Sequence, residues 1–253
     1  MGNLHKGHAK LISLAHEHAE RVVVSIFVNP TQFGEGEDFD KYPRTLERDK
    51  RRLKRNDVDL LFAPGVDTMY PFGIDNATSV TVPVLTADFC GAFRPGHFDG
   101  VTSIVNRLFS LVQPDVAVFG QKDFQQQLVI RRMVDDLSLP VEIITAPTER
   151  EDDGLALSSR NQYLSDEERQ IAPQLYQALE KMGSELQSGN REYAVLEEEA
   201  MSVLGSSGFE VEYLDIRRAE NLEEPARDSD ELVILVAAKL GETRLIDNVV
   251  VSI

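Results

Sequence analysis

The sequence predicts an α/β protein: a doubly wound, Rossmann-like parallel sheet followed by a small α+β unit. Three observations carry this expectation. Apolar, β-branched runs (Arg21–Val28, Asp59–Ala63, Val116–Phe119, Val141–Thr145) alternate with helical stretches, the pattern of parallel strands joined by right-handed crossovers. Those runs are almost continuously apolar, as strands covered by helices on both faces must be. Past Pro147 the order changes to helices and then strands, so a boundary falls within 147–164 and two domains follow, residues 1–150 and 151–253.

Taken in order, the chain opens with Met1-Gly2-Asn3-Leu4-His5-Lys6-Gly7-His8 and an apolar-periodic helix from about His8 to Glu20. The strand Arg21–Val28 ends in a Pro- and Gly-bearing loop, Asn29–Gly34, followed by an acidic segment, Glu35–Asp40. Tyr42-Pro43-Arg44-Thr45 starts a helix to about Asn56. Its basic run Lys50–Arg55 is interrupted by nearby acids and lacks interleaved aromatics, so it reads as a solvated face rather than a nucleic-acid patch. Asp59–Ala63 is stopped by Pro64-Gly65, and Ser79–Val82 alternates like a further strand. The loop Cys90–His97 leads into an amphipathic helix, Gly100–Val112. Val116–Phe119, Gly120–Asp123, a glutamine-rich helix to Leu137 and the strand Val141–Thr145 complete the first part.

In the second part, a polar loop (Arg150–Leu164) precedes a capping box, Ser165–Glu168, which opens a long helix. Its apolar stripe is Ile171, Leu175, Leu179, Met182 and Leu186. A helix from Arg191 to Leu204 stops at Gly205. Strands at Glu210–Ile216, Leu232–Ala238 and Thr243–Ile253 follow, with a hairpin turn near Leu240-Gly241.

Composition removes several function classes. A net charge of −17 disfavours binding to nucleic acid, so any anion site must be a local positive island. A single cysteine, Cys90, allows neither an intrachain disulfide nor a thiolate metal site, which predicts a reducing compartment, the cytoplasm. No apolar run is long enough to span a bilayer, and His and Lys stand where a signal peptide would be apolar.

Candidate site residues lie at the carboxyl ends of the predicted strands, where open α/β sheets bind ligands. His5 and His8, three apart at a helix start, project to one side. The helix N-terminus adds unpaired N–H groups suited to phosphate, and Gly7 leaves the backbone accessible. Lys122 follows a glycine at a strand end and acts as a point charge. Ser158, Ser159 and Arg160 bring two hydroxyls and a guanidinium fork. Gln32 and Gln126 bring neutral amides for a hydroxylated substrate.

The chain resembles the pantoate–β-alanine ligase (pantothenate synthetase) family of the HxGH nucleotidyltransferase superfamily. Six segments carry the likeness: MGNLHKGH (1–8), FVNPTQFG (27–34), YPRT (42–45), CGAFRPGHFDGV (90–101), VFGQKDFQQ (118–126) and DGLALSSRNQYLS (153–165). The resemblance implies ATP-dependent condensation of pantoate with β-alanine through a pantoyl adenylate, in a homodimeric enzyme. It implies that ATP, with Mg²⁺, contacts Met1, Gly2, Asn3, Leu4, His5, Lys6, Gly7, His8, Gly120, Gln121, Lys122, Asp123, Glu149, Leu157, Ser158, Ser159 and Arg160. Pantoate would lie between Gln32 and Gln126, with β-alanine entering near Gln32. His8 would donate a proton, with His5, Lys122 and Arg160 as the other catalytic groups. Asp38, Asp40 and Asp123 are candidate outer contacts for the metal. The C-terminal domain would be a lid. No partner beyond these small molecules is expected, neither nucleic acid nor membrane.

One departure stands out. Family members carry a strand and a helix before the first motif, whereas here Met1 falls inside it. The expectation is an N-terminal truncation, by start-site misassignment or otherwise, with the first central strand missing. Two alternatives therefore stay open: an inactive nucleotide-binding remnant, and another HxGH nucleotidyltransferase. Gln32 and Gln126 argue against the latter.

Overall fold

The structure, a computed structural model, describes residues 2–34 and 36–253. Met1, assigned above to the nucleotide, and Glu35, the first residue of the acidic segment, lie outside the described residues. The chain forms two compact units: residues 1–120 with 125–147, and residues 121–124 with 148–253.

In the first unit, helix α1 (Lys6–His18) precedes strand β1 (Val23–Ser25), helix α2 (Leu46–Arg55) and strand β2 (Leu60–Phe62). Short helices α3 (Val66–Met69) and α4 (Cys90–Phe93) follow, then the long α5 (His97–Val112), β3 (Val116–Gly120), α6 (Phe124–Asp136) and β4 (Glu142–Ala146). Both strand pairings are parallel: Val23–Ser25 runs beside Leu60–Phe62, and Val116–Gly120 beside Glu142–Ala146. The α/β alternation read from the sequence is present.

Two details differ from expectation. The sheet is two separate pairs rather than one continuous sheet, because no described strand hydrogen-bonds to both β1 and β3. With a partner on one side only, the expected eight-residue strand Arg21–Val28 shortens to Val23–Ser25. Ser79–Val82, read as a strand, is none. Its backbone is satisfied by a helix instead: Val80 N–H donates to Ser103 Oγ at 2.8 Å, and Val80 C=O accepts from Thr102 Oγ1 at 2.5 Å. Under β1, Leu4, Ile12, Val22 and Leu53 form a small core that joins the opening stretch, α1 and α2.

The second unit carries α7 (Asp166–Ile171), α8 (Gln174–Gln187), α9 (Tyr193–Ser206) and an antiparallel sheet ordered β5 (Phe209–Arg218), β6 (Glu231–Leu240) and β7 (Thr243–Ser252). The capping box forms as read: Ser165 N–H donates to Glu168 Oε2 at 2.8 Å, and Glu168 N–H to Ser165 Oγ at 3.2 Å. The helix it opens is short, however. Pro173, which lacks an N–H and crowds the preceding turn, separates α7 from α8. The stripe still points inward: Leu175, Leu179, Met182 and Leu186 are buried against Ile216, Ile234 and Val236. Each such side chain contributes roughly 1.5–3 kcal/mol. β6, the central strand, is buried almost throughout.

Candidate active site

The opening motif is held by a distant residue that sequence reasoning passed over. Asp49, 1% exposed on α2, takes the N–H of Asn3 on Oδ2 and that of Leu4 on Oδ1, both at 2.9 Å. Two successive N–H groups can face one carboxylate because Gly2 and Asn3 have φ of +105° and +51°. Glycine adopts such angles freely, and asparagine tolerates them better than most residues. Thr45 Oγ1 also donates to Asp49, at 3.1 Å. Arg48 donates to Asn3 Oδ1 and Arg52 to the Leu4 carbonyl. The reading of Lys50–Arg55 as a solvated face is thus corrected at Arg52, whose guanidinium is spent on the motif; Lys50, Arg51, Lys54 and Arg55 are exposed. A Cβ on Gly2 would come 3.2 Å from Ile26 Cγ2, so the motif lies at the carboxyl end of β1.

His5 and His8 are brought together, with ring centroids 4.1 Å apart. The His5 backbone N–H donates to His8 Nδ1 at 3.2 Å. A nitrogen that accepts carries no proton, so the neutral His8 ring carries its N–H on Nε2. Both rings sit at the start of α1, whose first N–H groups have no intrahelical acceptor.

Gln32 closes a 3-10 turn, Pro30–Gln32, after β1. The turn is built on Asn29, a second residue missed from the sequence. It is 1% exposed, and its Oδ1 accepts from Thr31 Oγ1 at 3.1 Å and from Tyr70 O–H at 2.6 Å. Its Nδ2 donates to the Gly100 carbonyl at 3.1 Å and to Gln32 Oε1 at 3.3 Å. Helix α5 approaches this turn so closely that a Cβ on Gly100 would fall 2.6 Å from the Thr31 carbonyl carbon and 2.7 Å from Gln32 N. The Gln32 carbonyl also accepts from His97 Nδ1 at 2.8 Å and Arg94 Nη2 at 3.3 Å. Arg94 Nη1 lies 3.0 Å from His97 Nε2; since arginine only donates, His97 accepts there and carries its proton on Nδ1. Arg94 reaches Glu37 with two bonds of 2.6 Å. Burial alone would raise the Glu37 carboxyl, but the Arg94 hydrogen bond and charge, aided by the Gly34 backbone, hold it below the ordinary 4.5.

Gln126 lies half-buried in the first turn of α6. Its neighbour Gln125 is structural: Oε1 accepts from Cys90 N–H at 3.0 Å, and Nε2 donates to the carbonyls of Leu85 at 2.8 Å and Asp88 at 2.9 Å.

The remaining sequence candidates, apart from Gly120 and the acidic pair Asp38 and Asp40 of the first unit, belong to the second unit. Gln121–Asp123 form a 3-10 turn after β3. Leu157 N–H donates to the Glu149 carbonyl at 2.9 Å beside an Arg150–Ala156 bridge, which aligns Glu149 with the Ser158–Arg160 stretch. Ser158 caps the following 3-10 turn, Ser159–Tyr163, its Oγ accepting Arg160 N–H at 3.2 Å. Nearby in sequence, Thr148 Oγ1 and Asn161 Oδ1 are buried without a hydrogen-bond partner, as atoms that meet a ligand often are. Among the described residues no three His, Cys, Asp or Glu side chains converge as a metal cage. No helix among the described residues is long and apolar enough to cross a membrane.

Comparison with known proteins gives one consistent result. The family model described as pantoate-beta-alanine ligase matches residues 1–250. A pantothenate synthetase of Pseudomonas fluorescens (strain SBW25) is 53% identical over 98% of this chain and 88% of its own length. One from Ectopseudomonas mendocina (strain ymp) is 54% identical over 100% of this chain and 89% of its own. Among solved structures, a pantothenate synthetase from Thermus thermophilus superposes with a TM-score of 0.94 at 50% identity, covering 98% of this chain and 90% of that one. The pantoate-beta-alanine ligase of Francisella tularensis, complexed with beta-gamma ATP and beta-alanine, gives 0.82 at 33% identity, covering 98% and 86%.

Proposed function

The chain belongs to the pantoate–β-alanine ligase family, and from that premise we propose that it is an enzyme condensing pantoate with β-alanine while cleaving ATP to AMP and pyrophosphate. The observation that carries this reading is the extent of the family match, residues 1–250 of 253.

The chemistry proceeds in two displacements. A pantoate carboxylate oxygen bonds to the α-phosphorus, the α–β phosphoanhydride bond breaks, and pyrophosphate leaves. The amine of β-alanine then bonds to the acyl carbon of pantoyl adenylate, the acyl–oxygen bond to AMP breaks, and the nitrogen gives up a proton. No protein nucleophile is required, so Cys90 has no role. What the protein supplies is position and positive charge for oxygens that gain charge in the transition state.

In this reading ATP meets Met1–His8, Gly120–Asp123, Glu149 and Leu157–Arg160. His8 donates from Nε2, because its Nδ1 is engaged by His5. His5, Lys122 and Arg160 add the positive island that a chain of net charge −17 otherwise lacks. Thr148 Oγ1 and Asn161 Oδ1 offer the nucleotide two further polar atoms. Gln32 and Gln126 bind pantoate, and Gln32 meets β-alanine. Asp123, the carboxylate beside Lys122, would help hold a Mg²⁺ bound with the nucleotide, which would supply neutralisation of phosphate charge. Residues 1–150 act as the nucleotide and pantoate domain and 151–253 as a lid, in a cytoplasmic homodimer.

The test is to follow pyrophosphate with ATP and pantoate alone, then AMP on adding β-alanine. Pyrophosphate first and AMP only with β-alanine is the expected result. Pyrophosphate without an amide product would favour a different nucleotidyltransferase, and no turnover at all a nucleotide-binding remnant. Under the proposal, His8→Ala and Lys122→Ala each slow pyrophosphate formation by roughly 10²-fold or more.

A further inference from the structure

We propose that Asn248 is a positioning residue for Lys122, acting by a two-pronged grip on the backbone of the Gln121–Asp123 turn. The proposal rests on the reading of Lys122 as a phosphate-binding group.

The turn follows β3 directly in sequence, yet it packs with the second unit, whereas Gly120 before it and Gln125 after it belong to the first. Asn248 on β7 explains this grouping. Its Nδ2 donates to the Gln121 carbonyl at 2.9 Å and to the Lys122 carbonyl at 3.0 Å. Its Oδ1 accepts from Gln121 Nε2 at 3.4 Å. Two successive carbonyls thus take both protons of one amide, which fixes the peptide planes on either side of the Lys122 Cα. A carboxylate or an aliphatic side chain of the same shape has no proton to give, so the position calls for a primary amide.

The grip is itself braced. Asn248 is 2% exposed and Asp247 is 4% exposed. The Asp247 carboxylate takes Arg150 Nη1 at 2.5 Å and Nη2 at 2.9 Å, a bidentate pair, and also the Asn248 N–H at 2.8 Å. The Arg150 guanidinium lies 3.5 Å over the Tyr176 ring and donates to the Gly154 carbonyl at 3.0 Å. In register, Asn248 pairs with Leu235 of the central strand β6. The amide therefore has little freedom to follow a displaced turn. The turn must conform to it.

A displacement of about 1 Å at a reacting group is enough to cost up to ~10²-fold in rate, and loss of the grip should cost roughly 10-fold or more. The experiment is a double-mutant cycle on pyrophosphate formation with Asn248→Ala, Lys122→Ala and the pair. Expected is a slow Asn248→Ala enzyme and a double variant no slower than Lys122→Ala alone, since Asn248 acts through Lys122. Losses that multiply would overturn the proposal, as would an Asn248→Ala enzyme of native rate. Should Lys122→Ala itself keep the native rate, the reading of Lys122 fails and the proposal with it. In that case the condensation activity of the wild-type chain still decides the family function separately. If Asn248→Ala lacks a native far-UV spectrum and cooperative melt, the cycle is run with Asn248→Leu. This variant keeps nearly the shape and removes the amide without adding a buried charge, and the same coupling is expected.

Discussion

Asp49 and Leu4, 45 residues apart in the chain, meet in the interior through a 2.9 Å bond from the Leu4 N–H to the buried carboxylate. The opening motif is therefore shaped by helix α2 as much as by its own glycines. Asp49→Asn keeps the volume but turns an N–H toward an N–H, leaving one buried donor unmatched at a cost of about 1–3 kcal/mol. The melting temperature should fall by several degrees, and pyrophosphate formation by roughly 10-fold, as His5 and His8 lose their seat. A native melt for this variant would show that the bond is dispensable.

Gly100 and Gly205 predict opposite signs for the same substitution. Alanine in a helix interior is normally favoured over glycine by about 0.8–1.0 kcal/mol. At Gly205 on α9 an added Cβ meets nothing within 4 Å, so Gly205→Ala should raise the melting temperature slightly. At Gly100 it would press on the Thr31–Gln32 peptide at 2.6–2.7 Å, so Gly100→Ala should lower it and raise KM for pantoate. Parallel calorimetry and steady-state kinetics on the two variants check the contrast.

Glu37 sets an acid limit on the Gln32 turn. Its folded carboxyl lies below the ordinary 4.5, despite burial, because Arg94 holds it charged. A depressed value means that the stabilisation is complete above about 4.5 and drains away as pH falls through the lower, folded value. Melting curves from pH 7 down to 3 should show Glu37→Gln less stable than the wild type at neutral pH, and the difference should shrink on acidification. A constant difference would mean that the Glu37–Arg94 pair carries no linkage.

His8 should hold its neutral proton on Nε2, since Nδ1 accepts from His5. Long-range nitrogen–proton spectra of ¹⁵N-labelled protein, taken with His8 neutral, report the tautomer directly. A proton on Nδ1 would remove His8 as the Nε2 donor to phosphate.

Much of the fold was legible because it rests on local rules. The capping box at Ser165 and the stripe Leu175–Leu186 are properties of a few turns of chain, and both form as read. Errors arose where a distant partner decided the outcome. Val80 looks like part of a strand, but two hydroxyls on α5 take its backbone first. Pro173 breaks the helix even though the apolar stripe continues across it. For the proposed site, residue type and position alone pick out the candidate groups that would carry charge or donate protons: His5, His8, Lys122 and Arg160. The residues that seat the opening motif, the Gln32 turn and the Lys122 turn are not picked out in this way. Asp49, Asn29, Arg94 and Asn248 are ordinary polar residues whose importance lies in what the fold brings to them. The one hint for Asn29 was its place before a proline at a strand end, the setting of an Asx turn.

The grip of Asn248 on the Lys122 carbonyl spans 126 residues, and that separation has a consequence for biosynthesis. At ~5–20 residues per second, the ribosome takes about 6–25 s to travel from one to the other. Through that interval a nascent chain can assemble the first unit, yet the Gln121–Asp123 turn lacks the strand that fixes it. The turn is completed only when β7 is delivered, so maturation of the Lys122 segment is tied to synthesis of a strand 126 residues downstream rather than to folding of the domain in which it was made.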